Sequence, residues 1–253
     1  MRQDERAPFH MALRPARVAA FPTGEFVEQE SFMRAGDIRR LANHARIGLG
    51  VSVLDICCGV AGPGRLITAE LGCRYLGVDY SASSLTIARR LAGDLSCSFV
   101  RSHVPPLPDG SFDVVLLLET MLAFPDKQAL LAEIVRVLEP NGRFAFTLEE
   151  GRPLSLREQE LMPDADTVRL VELADLTALL REVGLAVTWQ EDCTGSHLAI
   201  AADLLRSFDA HGVEIERVVG ARALDELVAA HRLWSDWLSG GRVRKFAMVA
   251  EKR

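Results

Sequence analysis

The sequence predicts an α/β protein built around one mostly parallel sheet. From residue 51 onward, short runs rich in β-branched and aromatic residues alternate with stretches of helical periodicity, as in stacked βα units. The chain has 253 residues, of which 49% are apolar and 25% charged. That length suits one large domain with additions, and that composition is typical of a globular protein. These observations indicate one α/β domain with extra segments.

Seven runs are predicted as strands. They are residues 51–56, 74–79, 96–101, 112–118, 143–148, 185–191 and 243–251. The intervening helices are predicted at residues 62–71, 81–92 (with Ser81 as the N-cap), from Asp126 onward, and at 172–183. The helix from Asp126 has apolar residues three and four positions apart, and the turn at 140–142 is predicted to end it because Asn and Gly tolerate positive φ.

Two segments fall outside this alternation. Residues 1–36 precede it and are predicted to form an N-terminal cap or lid, followed by a helix that Asp37 is expected to cap. Residues 196–238 are predicted as a helical insertion between strands six and seven, over the substrate pocket, because they are too long for a plain connection. The core is then residues 37–195 and 239–253.

Charge and cysteine usage exclude several classes of protein. The net charge of −6 argues against a binder of duplex nucleic acid, which needs a basic face. No run approaches the ~18–20 apolar residues that cross a bilayer. The five cysteines lack paired C-x-x-C spacing, so we expect thiols, no metal site and a cytoplasmic location. Only Lys127, Lys245 and Lys252 are lysines among 29 basic residues, which we interpret as compositional bias.

A turn of small residues follows the first predicted strand. The strand ends at Asp55, Gly59 and Gly62 follow, and Asp79 ends the next strand. Small residues let a ligand approach the backbone, and an acid about twenty residues on suits the hydroxyls of a ribose. The turn alone fits dinucleotides and nucleosides equally. However, Cys57 replaces a glycine of the dinucleotide pattern, and Asp55 would repel a pyrophosphate but suit a cationic group.

Two further stretches stand in order after this turn: LPDGSFD at residues 107–113 and RVLEPNGRF at 136–144. With them, the chain resembles the class I methyltransferases that use S-adenosyl-L-methionine, from about residue 51 to 148. The resemblance implies a Rossmann-like seven-stranded sheet whose last strand is antiparallel. It also implies that S-adenosyl-L-methionine is the cofactor.

The resemblance assigns cofactor contacts residue by residue. The positions are Asp55, Cys57, Gly59 and Gly62 for the methionine end, Asp79 for the ribose, Tyr80, Ser102 and His103 for the adenine, and Leu118 beside the methyl group. Arg101 stands where the family often has an Asp, and a guanidinium cannot accept a hydrogen bond from the adenine amine. Arg34 could reach the cofactor carboxylate, although a surface role is equally expected.

Residues 119–126, ETMLAFPD, resemble the subgroup that methylates small molecules such as sugars, sarcosine and tocopherol. Several of its members carry a His near position 122 or 123, where this chain has Leu122 and Ala123. A general base is worth about 10²–10⁴ in rate, whereas orientation can supply roughly 7–11 kcal/mol. The missing His therefore disfavours alkyl hydroxyls as acceptors and leaves amines, phenols and activated carbons.

Two side chains are candidates for catalysis. Glu119 is expected either to hold a cationic substrate, to act as a base, or to serve as a structural carboxylate. His197 begins the insertion and either closes the pocket or is structural. Glu149 and Glu150 are predicted to lie in a solvated loop rather than on the substrate.

The sequence thus predicts an enzyme that transfers a methyl group from S-adenosyl-L-methionine to an N or O nucleophile of a small molecule, in natural-product biosynthesis. The alternatives are a protein of the same fold with non-methylating activity, such as cyclisation, and, less favoured, an NAD(P)-dependent oxidoreductase. The expected partner is a small-molecule substrate, without nucleic acid, membrane or metal. The sequence leaves open whether the protein forms a homodimer.

Overall fold

A computed structural model describes residues 6–253 and contains a seven-stranded sheet in the order β3-β2-β1-β4-β5-β7-β6. The strands are β1 (Ser52–Ile56), β2 (Arg74–Asp79), β3 (Cys97–Arg101), β4 (Phe112–Leu117), β5 (Leu138–Glu150), β6 (Leu185–Asp192) and β7 (Arg244–Lys252). Strands β1 to β5 pair in parallel, and β7 lies antiparallel between β5 and β6. This arrangement confirms the predicted fold class, including the antiparallel last strand.

Helices surround the sheet. They are α1 (Arg6–Ala20), α2 (Ala35–His44), α3 (Gly62–Leu71), α4 (Ala82–Ala92), α5 (Lys127–Val137), α6 (Leu156–Leu161), α7 (Leu173–Glu182), α8 (Thr194–Ala210), α9 (Gly212–Val219) and α10 (Ala221–Ser239). Between residues 6 and 253, none of the helices has the length and apolar content that crossing a membrane requires.

Two predicted boundaries are wrong. Strand β5 starts at Leu138 rather than at 143, because Asn141 takes a φ of 63° and the chain turns without leaving the sheet, with an irregular register against β4. Helix α2 starts at Ala35, so Asp37 is its third residue rather than its cap. The Asp37 carboxylate accepts the N–H of Arg34 at 3.0 Å, which still satisfies a free donor at the helix start.

The sheet is buried on both faces, as parallel sheets usually are. Leu54 and Leu117 point to the face covered by α5 and α7, and Val53 and Leu116 point to the face covered by α2, α3 and α4. This alternation follows from the two-residue period of a strand. Burial on both faces fixes the strand register, and the register fixes which side chains meet at the carboxyl ends of the strands.

Helix α1 packs against the helices of the predicted insertion. Their shared apolar cluster consists of Leu13, Ala16, Ala20, Phe21, Ile200, Leu204, Phe208 and Ile215. The N-terminal segment and helices α8 and α9 therefore form one packed layer. The domain boundaries given above stay predictions, and residues 1–5 of the predicted cap lie outside the described residues.

The three lysines serve internal contacts. Lys127 donates to the carbonyl oxygens of Phe124 and Arg169 at 3.1 and 2.9 Å, and Lys252 donates to those of Val135 and Leu138 at 2.7 and 2.6 Å. Lys245 is 2% exposed and pairs with two carboxylates described below. Compositional bias alone does not account for these positions, because each ammonium group binds acceptors that the fold brings to it.

Candidate active site

The turn after β1 combines three residues in the left-handed region. Cys57, Gly59 and Ala61 have φ values of 60°, 55° and 56°. Only the glycine adopts this conformation without cost, and a side chain there costs about 1–2 kcal/mol. The turn is thus strained at Cys57 and Ala61. All five cysteines are free thiols, including the adjacent pair Cys57 and Cys58.

Asp55 is positioned by a chain of close contacts. A Cβ atom at Gly64 would lie 2.1 Å from the ring of Tyr75, so only glycine leaves room for that ring against α3. The Tyr75 hydroxyl then donates to Asp55 Oδ2 at 2.6 Å. Burial raises the pKa of Asp55 to about 7, although the Tyr75 hydrogen bond opposes the shift. A neighbouring cation would stabilise the ionised form of this carboxyl group.

Asp79 connects the end of β2 to the turn. Its Oδ2 accepts the N–H of Gly59 at 2.9 Å, and its Oδ1 accepts the N–H of Ser81 at 2.8 Å. A carboxylate oxygen has more than one lone pair, so Asp79 can still accept from a ligand. The carboxylate is therefore fixed in direction before any ligand binds.

A first cavity of about 530 Å³ opens along this turn and contacts Asp55, Cys57, Gly59, Gly62 and Asp79. Its charged side chains are Glu28, Glu30, Asp55, Asp79, Glu119 and Asp164. In the part of the chain that the structure describes, no Lys, Arg or His lines this cavity. A negative lining repels a pyrophosphate and attracts a ligand that carries positive charge.

The other predicted cofactor contacts divide into two groups. Tyr80 and Leu118 line the first cavity. His103 stacks on Tyr80 with ring centroids 5.5 Å apart, and the N–H of Ser102 donates to the Asp79 carbonyl at 3.1 Å, but neither residue lines the cavity. Arg34 also lies outside the lining, because Asp37 binds its guanidinium at 3.2 and 3.3 Å. That pair fits the surface role of Arg34 better than contact with a cofactor.

Residues 21–34, here called the N-terminal loop, pass over the turn. The side-chain amide of Gln29 organises the loop, donating to the carbonyls of Glu25 and Met33 and accepting the N–H of Val27 at 2.6 Å. A Cβ atom at Gly62 would lie 2.2 Å from the Val27 carbonyl oxygen, so the loop rests directly on this glycine.

Ion pairs tie the N-terminal loop to α1. Arg14 pairs with Glu28 at 2.6 Å, and His10 pairs with Glu30 at 2.8 Å. Burial raises the pKa of Glu30, but hydrogen bonding to His10 and the charge of Arg17 more than offset it and lower the pKa to about 2. Glu30 is therefore ionised near neutral pH, and the loop is held by charge as well as by packing.

A second cavity, of about 320 Å³, adjoins the first and shares Glu119 with it. One wall is polar and consists of Glu119, Glu149 and Lys245. Another part of the lining comes from α10 and consists of Leu227, Ala230, His231, Trp234 and Leu238. A larger cavity, of about 680 Å³, lies beside Asp126 and Lys127 and contains none of the predicted site residues.

The polar wall is a buried ionic network. Lys245 Nζ lies 2.8 Å from Glu119 Oε1 and also pairs with Glu149 Oε1, and His197 Nε2 lies 3.4 Å from Glu119 Oε1. Burial would raise the pKa of Glu119, but Lys245 and His197 hold it well below its usual range. Burial would lower the pKa of His197, but Glu119 raises it to about 9. Glu119 is therefore a carboxylate and His197 a cation near neutral pH.

This network changes the interpretation of Glu149 and His197 that the sequence suggested. Glu149 lies inside β5 rather than in a solvated loop, is 5% exposed and stands opposite Lys245 in the register of β5 and β7. Lys245 was missed, although a lysine within an apolar strand of a lysine-poor chain could have indicated it. His197 is fully buried and lies outside both cavity linings, which fits a role in positioning Glu119 better than contact with a ligand.

Comparison with known proteins agrees with this geometry. Residues 54–146 match the family model described as "Methyltransferase domain". Residues 54–146 are a methyltransferase domain. Over these residues the match bears out the predicted resemblance to methyltransferases, and it supports S-adenosyl-L-methionine as the cofactor. The Asp55 turn and the end of β2 at Asp79 lie inside the matched range.

Curated relatives share this methyltransferase domain. The tocopherol O-methyltransferase of Arabidopsis thaliana chloroplasts is 32% identical over 117 residues, which are 44% of this chain and 34% of that protein. The phthiotriol/phenolphthiotriol dimycocerosates methyltransferase of Mycobacterium tuberculosis is 30% identical over 164 residues, 63% of this chain and 60% of that protein. The chain thus spans between about a third and three fifths of these relatives.

The fold extends beyond the matched residues. The structure of the cyclopropane synthase MmaA2 from Mycobacterium tuberculosis superposes with a TM-score of 0.82 over 99% of this chain and 95% of that chain. The two sequences are 12% identical, so the likeness concerns the fold. It includes the helices that flank the second cavity as well as the methyltransferase domain.

Proposed function

We propose that this protein transfers a methyl group from S-adenosyl-L-methionine to an N or O nucleophile of a small molecule bound in the second cavity. The observation that carries the proposal is that the two cavities adjoin, because both are lined by Glu30, Ser31, Glu119, Asp164 and Thr167. A donor in the first cavity and an acceptor in the second would then face each other across one short boundary. A cytoplasmic role in natural-product biosynthesis is part of the proposal and rests on the resemblance alone.

The residues of the first cavity fit this cofactor. Bound S-adenosyl-L-methionine supplies a methyl group on a positively charged sulfonium, and the lining of this cavity is acidic throughout the described chain. Asp55 would hold the cationic amino group, Asp79 the ribose hydroxyls, and Tyr80 would lie along the adenine. Gly59 has a positive φ and no side chain, so the backbone beside it is accessible to the cofactor.

The residues of the second cavity would orient the acceptor and exclude water. Glu119, held by Lys245 and His197, keeps its charge and its direction at the boundary between the cavities. The apolar side chains of α10 would bury the body of the acceptor. The names of the two curated relatives refer to tocopherol and to phthiotriol dimycocerosates as acceptors, and an apolar wall suits acceptors with an apolar body.

Calorimetric titration with S-adenosyl-L-homocysteine, with NAD as the control ligand, tests the proposal. We expect S-adenosyl-L-homocysteine to bind with a Kd on the order of micromolar and NAD not to bind. Product formation is then followed over a panel of apolar amines and phenols. Binding without methylation of any acceptor would favour a non-methylating activity such as cyclisation. Binding of NAD alone would contradict the proposal.

The affinity for S-adenosyl-L-homocysteine should increase from pH 6 to pH 8. Asp55 has a pKa of about 7 before a ligand binds, and a bound amino cation would lower it, so binding releases a proton. The gain should be up to about tenfold per pH unit below pH 7 and level off above it. Titrations in two buffers of different ionisation enthalpy measure the proton release. The variant D55N should lose the pH dependence, and a pH-independent wild type would exclude this role.

Glu119→Gln should reduce turnover more than cofactor affinity, because Glu119 lies at the boundary of the two cavities and only one of them holds the cofactor. Asp79→Ala should instead reduce cofactor affinity more than turnover. We expect the Glu119 variant to lose about 10²-fold or more in kcat while its Kd for S-adenosyl-L-homocysteine changes by less than about threefold. If affinity collapsed and turnover of the bound complex persisted, Glu119 would be a cofactor ligand.

A further inference from the structure

One face of α10 forms the apolar wall of the second cavity. Its residues are three or four positions apart, as one face of a helix requires. They are Leu227, Ala230, His231, Trp234 and Leu238. His231 is the one ionisable side chain on this face, and it lines the same cavity as Glu119, Glu149 and Lys245.

The ring of His231 is held in one orientation and one tautomer. Its Nδ1 lies 2.9 Å from the Leu227 carbonyl oxygen, and because a carbonyl can only accept, Nδ1 carries the hydrogen. The ring of Phe208 packs edge-to-face with it at 4.9 Å, and that of Phe32 at 5.8 Å. In the neutral ring, Nε2 then has a free lone pair, and within residues 8–253 no side chain or backbone group hydrogen-bonds to it.

Burial lowers the pKa of His231 to about 4, with a smaller contribution from the charge of Arg17. The ring is therefore neutral at the pH of an ordinary assay. His197, which is raised to about 9, is protonated under the same conditions. Of the histidines in the described chain, only His231 lines the second cavity, and Nε2 is the ring nitrogen that the Leu227 contact leaves available to accept a proton.

Resting on the proposed function, we propose that His231 is the acceptor-site base. Its Nε2 accepts a hydrogen bond from the O–H of a hydroxyl acceptor and takes that proton as the methyl group arrives. The acceptor O–H bond and the methyl–sulfur bond break, and the bond from the acceptor oxygen to carbon forms. The electron pair of the methyl–sulfur bond stays on sulfur, and the proton ends on Nε2.

Two carboxylates of the same cavity are already engaged by cations. Glu119 is held by Lys245 and His197, and Glu149 by Lys245, so both carboxylates are already neutralised by close cations. Positions 122 and 123, which follow β4 in the chain, carry Leu and Ala rather than histidine. A base on α10 would compensate for that absence. The protein could then also methylate acceptors that have to lose a proton to a base.

The test compares His231→Phe with the matched control His211→Phe. His211 bonds the Ser207 carbonyl through Nδ1 at 2.8 Å in the same way but lies outside both cavities. With S-adenosyl-L-methionine and a panel of phenols and other hydroxyl acceptors, His231→Phe should lower kcat by about 10²–10⁴-fold, with the Kd for S-adenosyl-L-homocysteine within about twofold of wild type. His231→Gln keeps an acceptor atom and should retain the KM for the acceptor better than the Phe variant.

A readout independent of turnover is the ¹⁵N spectrum of the histidine side chains. At pH 7, His231 should show a protonated Nδ1 and a free Nε2, and protonation of Nε2 should coincide with the acidic limb of the kcat profile. The charged groups that line the same cavity or act on the pKa of His231 are Arg17, Glu30, Glu119, Glu149, Asp164 and Lys245.

An Nε2–H tautomer, or undiminished kcat in His231→Phe, would overturn the assignment. Failure of the wild type to turn over any acceptor would instead contradict the proposed function, and the tautomer would still decide whether Nε2 is available to a ligand.

Discussion

Replacing Lys245 with Met should destabilise the protein by about 3–5 kcal/mol, because it leaves buried Glu149 without its cation and Glu119 with His197 alone. Lys245 is 2% exposed and lies between Glu119 and Glu149, and Glu149 Oε2 already has no hydrogen-bond partner among the described residues. The free energy of unfolding from urea titration at pH 7 measures the loss.

The neighbouring residue provides the control. Arg244 pairs with Glu150 at 2.9 Å on the outer side of the same strand, where its side chain is 48% exposed. Exposed pairs contribute about 0–1 kcal/mol, so Arg244→Met should cost little. The double variant Lys245→Met/Glu149→Gln should recover part of the loss, since one of the unpaired charges is removed. Equal costs for the two single variants would show that the network does not support the fold.

Replacing Gly62 with Ala should weaken binding of S-adenosyl-L-homocysteine by at least about tenfold. The added Cβ would lie 2.2 Å from the Val27 carbonyl oxygen and 2.9 Å from the Gln29 nitrogen. These are backbone atoms, so the N-terminal loop has to move away from the turn. Since Glu28 and Glu30 of this loop line the first cavity, the cavity loses one wall. Calorimetric titration measures the effect.

A matched control is Gly195→Ala in α8, where an added Cβ meets no atom within 4 Å. This variant should bind S-adenosyl-L-homocysteine like the wild type. The far-ultraviolet circular dichroism of both variants should be that of the parent, because Gly62 begins α3 and alanine is a good helix former. Wild-type affinity in Gly62→Ala would mean that the loop does not rest on the turn in solution.

The cofactor half of the site is largely predictable from sequence because it is local. Asp55 is the last residue but one of β1 and Asp79 is the last of β2, and neighbouring parallel strands end at the same edge of a sheet. The pattern of each strand therefore suffices to bring the two carboxylates together. Even so, the sequence gives no indication that Tyr75 fixes Asp55, because that contact depends on the missing Cβ of Gly64.

The acceptor half is not predictable in the same way because its parts are distant in the chain. Lys245 meets Glu149 through the antiparallel pairing of β5 and β7, across 96 residues. A register shifted by one residue would point Lys245 outward and Arg244 inward, and no local pattern excludes that shift. For the same reason, the sequence shows His231 only as one polar residue on an amphipathic helix. The local pattern does not indicate which elements that helix packs against.

The use of lysines inside the structure has a consequence for chemical labelling. Reagents that acylate amines should modify Lys127 and Lys245, which are 9% and 2% exposed, only when the chain opens around them. Their acylation rates would then report local unfolding free energies without any engineered probe. The outward-facing positive charge resides in guanidinium groups, which stay protonated to above about pH 12, so alkaline conditions that deprotonate ordinary lysine-rich surfaces should leave it intact.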